Sequence, residues 1–209
     1  MCCYRKPAPD QAMLIFGGDP RRTGEPFRVV TGRGAFVLPI FRKVRFLSLA
    51  PQEAEILERY ITNQDIVLNL RARVTFKVGN DPTSIARAGQ RFLSDEGQMR
   101  VLTGRIFAAQ FRLAIGSMTL EQVVTERQKL SLKVLAGSKA EMTRLGLSID
   151  SLQIRYIDDM GAGHLAAMAA RRKEDIQRHV ETAGARAEQQ AEEQAEEQAE
   201  EQAAEEQQD

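Results

Sequence analysis

The chain has 209 residues, enough for one domain of ordinary size and an appendage. Its 29 basic and 29 acidic residues balance, but ten of the acids, nine Glu and Asp209, lie from Glu188 onward, where there is no Lys or Arg. Residues 1–187 therefore hold 29 basic against 19 acidic residues, an excess that points to an anionic partner, lipid headgroups or nucleic acid. The two cysteines, Cys2 and Cys3, are adjacent, which excludes a disulfide-stapled fold and suits a reducing compartment. No signal peptide is visible. The longest apolar run, residues 35–41, has seven residues including Pro39, far short of the ~20 a spanning helix needs.

The first half reads as strands. Residues 12–16, 27–30 and 44–49 are short candidates separated by turns containing Gly or Pro. Between the last two lies an apolar loop, Phe36, Val37, Leu38, Pro39, Ile40 and Phe41, bracketed by Arg33, Arg42, Lys43 and Arg45. Pro39 lacks a ladder donor and argues against a central strand. Exposed, the five large side chains would contribute up to roughly 7–15 kcal/mol on entering lipid, before ordering costs. Each cation would add about 1 kcal/mol on an anionic leaflet. The competing reading is that the loop packs on its own sheet and its basic residues are merely solvated.

Residues 65–78 give the clearest strand. Ile66, Leu68, Leu70, Ala72, Val74, Phe76 and Val78 alternate with polar positions, and only Val67 breaks the pattern. Asn63-Gln64 supplies a turn after a partner strand at residues 55–62. Asp81-Pro82 then pairs an N-cap with proline at the first helical position, so a helix is expected over residues 82–93. The next spans 96–115, with Met99, Leu102, Ile106, Ala109 and Leu113 on one stripe. Thr119 and Gln122 form a capping box that opens a long helix carrying Leu120, Val123, Val124, Leu130, Val134, Met142 and Leu145. Gly146 stops it, and a strand follows from 147 to 157. Strands, then helices, then a returning strand describe an α+β domain.

After Gly161 and Gly163 the chain is proline-free and dominated by Ala, Glu, Gln and Arg, so residues 164–209 read as one long helix, roughly 70 Å at 1.5 Å per residue. Ala-Glu-Glu-Gln occurs three times between Ala191 and Gln202. A four-residue period is not a heptad, and glutamates four apart repel, so this end should order only against partners. The plainer reading is an acidic, solubilising tail.

Catalytic chemistry is hard to build here. His164 and His179 are too far apart to share a metal, and no Ser or Cys has a nucleophile-and-base pattern. Gly17-Gly18-Asp19-Pro20 and the glycines flanking Arg33 lack the lysine and hydroxyl of a phosphate loop and read as turns. Asp158-Asp159 reads as a capping or solvated pair at a strand end. Cys2 and Cys3 are candidates for S-acylation; Cys rather than Gly after Met1 excludes N-myristoylation.

Several stretches in order resemble the flotillins: residues 4–13 (YRKPAPDQAM), 34–41 (GAFVLPIF), Leu47-Ser48-Leu49, 100–135 with its GSMTLE turn and Arg127, and 146–158. The resemblance covers about residues 4–160. It is to the SPFH domain shared by stomatins, prohibitins and flotillins. It implies an α+β SPFH domain with an antiparallel sheet and packed helices at residues 11–160. That domain follows an anchor-proximal segment at 1–10 and precedes a C-terminal helix, or short coiled coil, at 164–209. Bacterial flotillins usually carry a hydrophobic segment before the stretch matching Tyr4, and a longer, mixed-charge coiled coil; neither has a counterpart in these 209 residues.

The implied function is a non-catalytic scaffold without cofactor or metal, peripheral or lipid-anchored on the cytoplasmic face of a cell membrane. It would contact anionic lipids through the 36–41 loop and its basic residues. It would also form homo-oligomers through the SPFH domain and C-terminal helix, gather client membrane proteins and organise microdomains. Two other readings are a soluble nucleic-acid-binding module using the Arg71, Arg73 and Lys77 row, with the acidic tail as internal competitor, and a prohibitin-like regulator of a membrane protease. No aromatic residues interleave that basic row for base stacking.

Overall fold

Strict period-two burial builds the centre of the structure. The computed structural model describes residues 3–17, 27–37 and 42–206. Its strands are β1 (Cys3–Arg5), β2 (Gln11–Phe16), β3 (Phe27–Thr31), β4 (Ala35–Val37), β5 (Lys43–Ser48), β6 (Gln52–Ile61), β7 (Val67–Val78) and β8 (Leu147–Asp158). In β7, Leu68, Leu70, Ala72, Val74 and Phe76 have no exposed surface. Val67 does not break the alternation: it stands on the outward face opposite Ile61, and Ile66 precedes the strand. Each of the larger inward side chains is worth about 1.5–3 kcal/mol of burial.

The strands form three antiparallel sheets, ordered β1-β4, β3-β2-β5 and β6-β7-β8. The β6–β7 turn is held by the buried Thr62, whose Oγ1 accepts from the Gln64 and Ile66 amides at 3.3 and 3.2 Å.

Helices α1 (Pro82–Phe92), α2 (Gly97–Ile115), α3 (Leu120–Thr125) and α4 (Arg127–Arg144) lie between β7 and β8 in sequence. Asp81 caps α1, its Oδ2 accepting from the Ser84 amide at 2.8 Å. The buried stripe of α2 is Met99, Thr103, Ile106, Phe107, Phe111 and Ala114, so the expected stripe is displaced: Ala109 is exposed and Leu113 is 69% exposed. The larger Phe107 and Phe111 take the inward positions, Phe111 against Tyr60 at 6.0 Å between ring centroids.

The long helix expected from Thr119 to Leu145 is two helices. The capping box is present, with Gln122 N to Thr119 Oγ1 at 3.2 Å and Thr119 N to Gln122 Oε1 at 3.0 Å. At Glu126 the backbone leaves the helical region (φ −103, ψ 44). At this end of α3 the Glu126 amide still donates to Gln122 O at 2.8 Å, while Thr125 Oγ1 donates to Glu121 O at 2.7 Å and Arg127 Nε to Val124 O at 3.3 Å. Gly146 ends the helical run at φ 77. Only glycine fits there, because a Cβ would collide with the Ser84 carbonyl and stand 2.9 Å from the Ala88 amide. Helix α2 packs on β6, and α4 packs on α2 and β8.

The chain divides into two compact units, residues 1–160 and 161–209. The second is built on α5 (His164–Glu206), 43 residues long. From 164 to 191 its side chains are exposed, apart from half-buried Leu165 and Met168.

Candidate membrane-contact surface

Strand β4 turns half of the expected apolar loop into a two-sided ribbon. Phe36 and Val37 stand in a strand and point to opposite faces, since successive side chains alternate. Val37, 4% exposed, joins Met13, Ile15 and Val30 in a buried cluster against which Ala35 and Val44 pack. It is a core residue, which corrects its expected place at a membrane surface. Phe36 is 72% exposed and pairs across the ribbon with Tyr4, 57% exposed. Their ring centroids lie 5.2 Å apart at 59°, within the tilted geometry aromatic pairs favour.

Gly34 makes that pairing possible, because a Cβ there would run into the Tyr4 ring. In the sequence Tyr4 is marked only as the start of the flotillin-like stretch 4–13, and not as a contact residue. Arg33 follows a tight turn, its amide donating to Thr31 O at 2.9 Å across Gly32 at φ 72, and both Arg33 and Arg42 are exposed. Leu38, Pro39, Ile40, Phe41 and Cys2 lie outside the described residues; Cys3 begins β1, opposite Val37.

Lys43 and Arg45 do not belong to this surface. Lys43 pairs with Phe16 and Arg45 with Leu14, on the side of β2 opposite Met13 and Ile15. They therefore face the α1 side of the sheet, where they line an open cleft of about 470 Å³ with Phe16, Phe27, Gly89, Gln90, Leu93 and Ser94. Of the four expected basic residues, these two lie on the α1 side of the sheet, away from the Met13 and Ile15 face.

The Arg71, Arg73 and Lys77 row is occupied by carboxylates. Arg71 lies 3.5 Å from Glu55, Arg73 3.0 Å from Glu53 and Lys77 3.1 Å from Asp150. Lys77 and Asp150 also line a cleft of about 520 Å³ between β7, β8 and α4. Asp159, expected to be capping or solvated, is 6% exposed. His179 is exposed, its Nδ1 2.8 Å from Asp175 O within α5. Gly17 has φ 96; Gly18, Asp19 and Pro20 lie outside the described residues. Among the described residues no group of three His, Cys, Asp or Glu could hold a metal. None of their helices is long and apolar enough to cross a membrane.

The SPFH domain / Band 7 family profile matches residues 8–209. The chain is 27% identical over 196 residues to Flotillin-like protein FloT of Bacillus subtilis, an alignment covering 90% of this chain and 38% of that protein. It is 24% identical over 192 residues to Flotillin-1 of Drosophila melanogaster, covering 90% and 40%. A stomatin homologue of Pyrococcus horikoshii is 27% identical over 167 residues, covering 78% and 59%. The chain thus spans about two fifths of the flotillins it matches. With the profile spanning nearly all of it and the α+β domain in place, the chain belongs to the SPFH / Band 7 family.

Proposed function

We propose that this chain is a flotillin-like, non-catalytic scaffold on the cytoplasmic face of a membrane. The exposed Tyr4–Phe36 pair carries the reading, set on a ribbon whose other face is locked into the core. The exposed Arg33 and Arg42 would meet anionic headgroups, and S-acylation of Cys2 or Cys3 would add an anchor.

Two aromatic side chains contribute about 3–6 kcal/mol on entering lipid, and each cation about 1 kcal/mol. That is the range of a single acyl chain, which binds a bilayer only marginally. Stable attachment therefore calls for several copies. Homo-oligomers formed through the SPFH domain (residues 11–160) and the C-terminal helix (164–209) would multiply weak contacts into avidity. Such an assembly would collect anionic lipids and client membrane proteins into microdomains. The nucleic-acid reading is not favoured, because the row it needs is already ion-paired.

Flotation with neutral and anionic vesicles, at low and high salt, tests this. Binding that persists in high salt and is lost in Phe36→Asp is expected. Salt-resistant binding unchanged by Phe36→Asp would overturn the assigned surface, and no flotation of the oligomer would overturn membrane contact.

A further inference from the structure

The cleft between β5, the β2–β3 pair and α1 has three properties seldom found together. Its floor is aromatic: Phe16 and Phe27 face one another across β2 and β3 with centroids 5.0 Å apart. One wall carries two exposed cations, Lys43 and Arg45, neither of which has an ion-pair partner among the described residues. The opposite wall is the C-terminal half of α1, where Gly89, Gln90, Leu93 and Ser94 line the space. Gly89 keeps that wall close to the sheet, since a Cβ there would stand 2.7 Å from Leu14 Cδ1 and 3.3 Å from Phe27 Cζ.

We infer that this cleft binds one anionic amphiphile, a phosphate-type headgroup bearing an apolar chain. The headgroup is held by Lys43 and Arg45, and the chain lies on Phe16, Phe27 and Leu93. The two cations supply charge-assisted donors, the guanidinium matching a phosphate edge by two parallel N–H groups. The volume of about 470 Å³ is in the range of small-molecule sites, which are mostly apolar with a few polar groups that fix orientation. Neither half suffices alone. A free phosphate would leave the aromatic floor wet, and a neutral chain would leave two cations without a counter-charge. The Lys77–Asp150 cleft, although larger, has one of its two lysines, Lys77, answered by its own carboxylate at 3.1 Å, and no aromatic residue lines it among the described residues.

The site is separate from the Tyr4–Phe36 surface, so it is testable without a membrane and its failure is distinguishable from failure of the scaffold reading. Dodecyl phosphate below its critical micelle concentration is titrated into the full chain by calorimetry, with inorganic phosphate and dodecyl maltoside as parallel arms. Saturable binding of dodecyl phosphate is expected, with at least about tenfold weaker binding of either control and of Lys43→Gln/Arg45→Gln. A second variant, Ser94→Trp, fills the cleft without changing charge and should weaken binding similarly. Arg71→Gln/Arg73→Gln should bind as the wild type. Equal binding by inorganic phosphate alone would reduce the site to a headgroup contact and overturn the inference. So would dodecyl phosphate affinity that survives both cleft variants, each checked as folded by circular dichroism. To separate a bilayer lipid from a soluble amphiphile, vesicles of equimolar phosphatidylglycerol and phosphatidylcholine are added. Competition between vesicles and dodecyl phosphate identifies the bilayer as a source of the ligand, and bound dodecyl phosphate indifferent to vesicles identifies a soluble one.

Discussion

The two three-stranded sheets carry similar cations and treat them in opposite ways. On β6-β7-β8, Arg71, Arg73 and Lys77 each lie within 3.5 Å of a carboxylate supplied by a neighbouring strand. On β3-β2-β5, Lys43 and Arg45 stand beside aromatic rings and helix α1, with no carboxylate paired to them among the described residues. Net charge on a domain therefore says little about where an anion will bind. What matters is whether the register of the next strand brings in an acid.

The largest expected effect tests the second sheet as a closed structural unit. Gly146→Ala puts a Cβ at φ 77 and into the backbone of α1, just where β8 begins. Left-handed strain costs about 1–2 kcal/mol, and with the backbone collision the loss should exceed roughly 4 kcal/mol in urea unfolding. A loss below about 1 kcal/mol would break the account of how β8 is joined to α1.

A smaller effect of opposite sign is expected inside that sheet. Tyr60 is 1% exposed, and its hydroxyl has no hydrogen-bond partner among the described residues. Burial pushes its pKa upward, with the Glu58 charge adding to the shift. Tyr60→Phe should therefore leave stability unchanged or raise it by up to about 1 kcal/mol. A clear loss would mean that the hydroxyl is satisfied after all.

Unmasking the paired cations sharpens the comparison itself. Glu53→Gln/Glu55→Gln should change stability by less than about 1 kcal/mol per pair, because these ion pairs are largely exposed. The same variant should gain affinity for anionic vesicles, since Arg71 and Arg73 are then unanswered. Unchanged vesicle binding would show that pairing is not what silences this face.

The smallest effect concerns α1, which covers the first sheet. Hydrogen bonds from Ser84 hold the Asp81 carboxyl below its ordinary value of 3.8. A depressed pKa means that the stabilisation is present above the unfolded value and is lost as pH falls through the folded one. Asp81→Ala should lower the melting temperature slightly near neutrality, with the difference from wild type vanishing in acid. A difference that persists in acid would show that the carboxylate charge is not its source.

Much of this was legible in the sequence because local chemistry and tertiary packing agree. The alternation of β7, the Thr119–Gln122 box, Asp81-Pro82 and the Gly146 stop are signals read within a few residues. The misplacements arose where long-range contacts decide. Leu113 is as apolar as Phe111, and only the presence of Tyr60 across the core selects which of them faces inward. Val37 and Phe36 are adjacent and both apolar; strand pairing with β1 sends one to the core and the other to solvent. The placing of Lys43 and Arg45 on the α1 side likewise depends on β5 pairing with β2, which no short window reveals. The break at Glu126 is a change of backbone conformation at one residue, which helical periodicity does not encode.

The central claim is that anion binding belongs to the first sheet and not to the second. One calorimetric titration with dodecyl phosphate below its critical micelle concentration tests it, comparing the wild type with Lys43→Gln/Arg45→Gln and Arg71→Gln/Arg73→Gln. The account predicts that the first double variant binds at least about tenfold more weakly while the second binds as the wild type. The reverse result, binding kept without Lys43 and Arg45 but lost without Arg71 and Arg73, would contradict it.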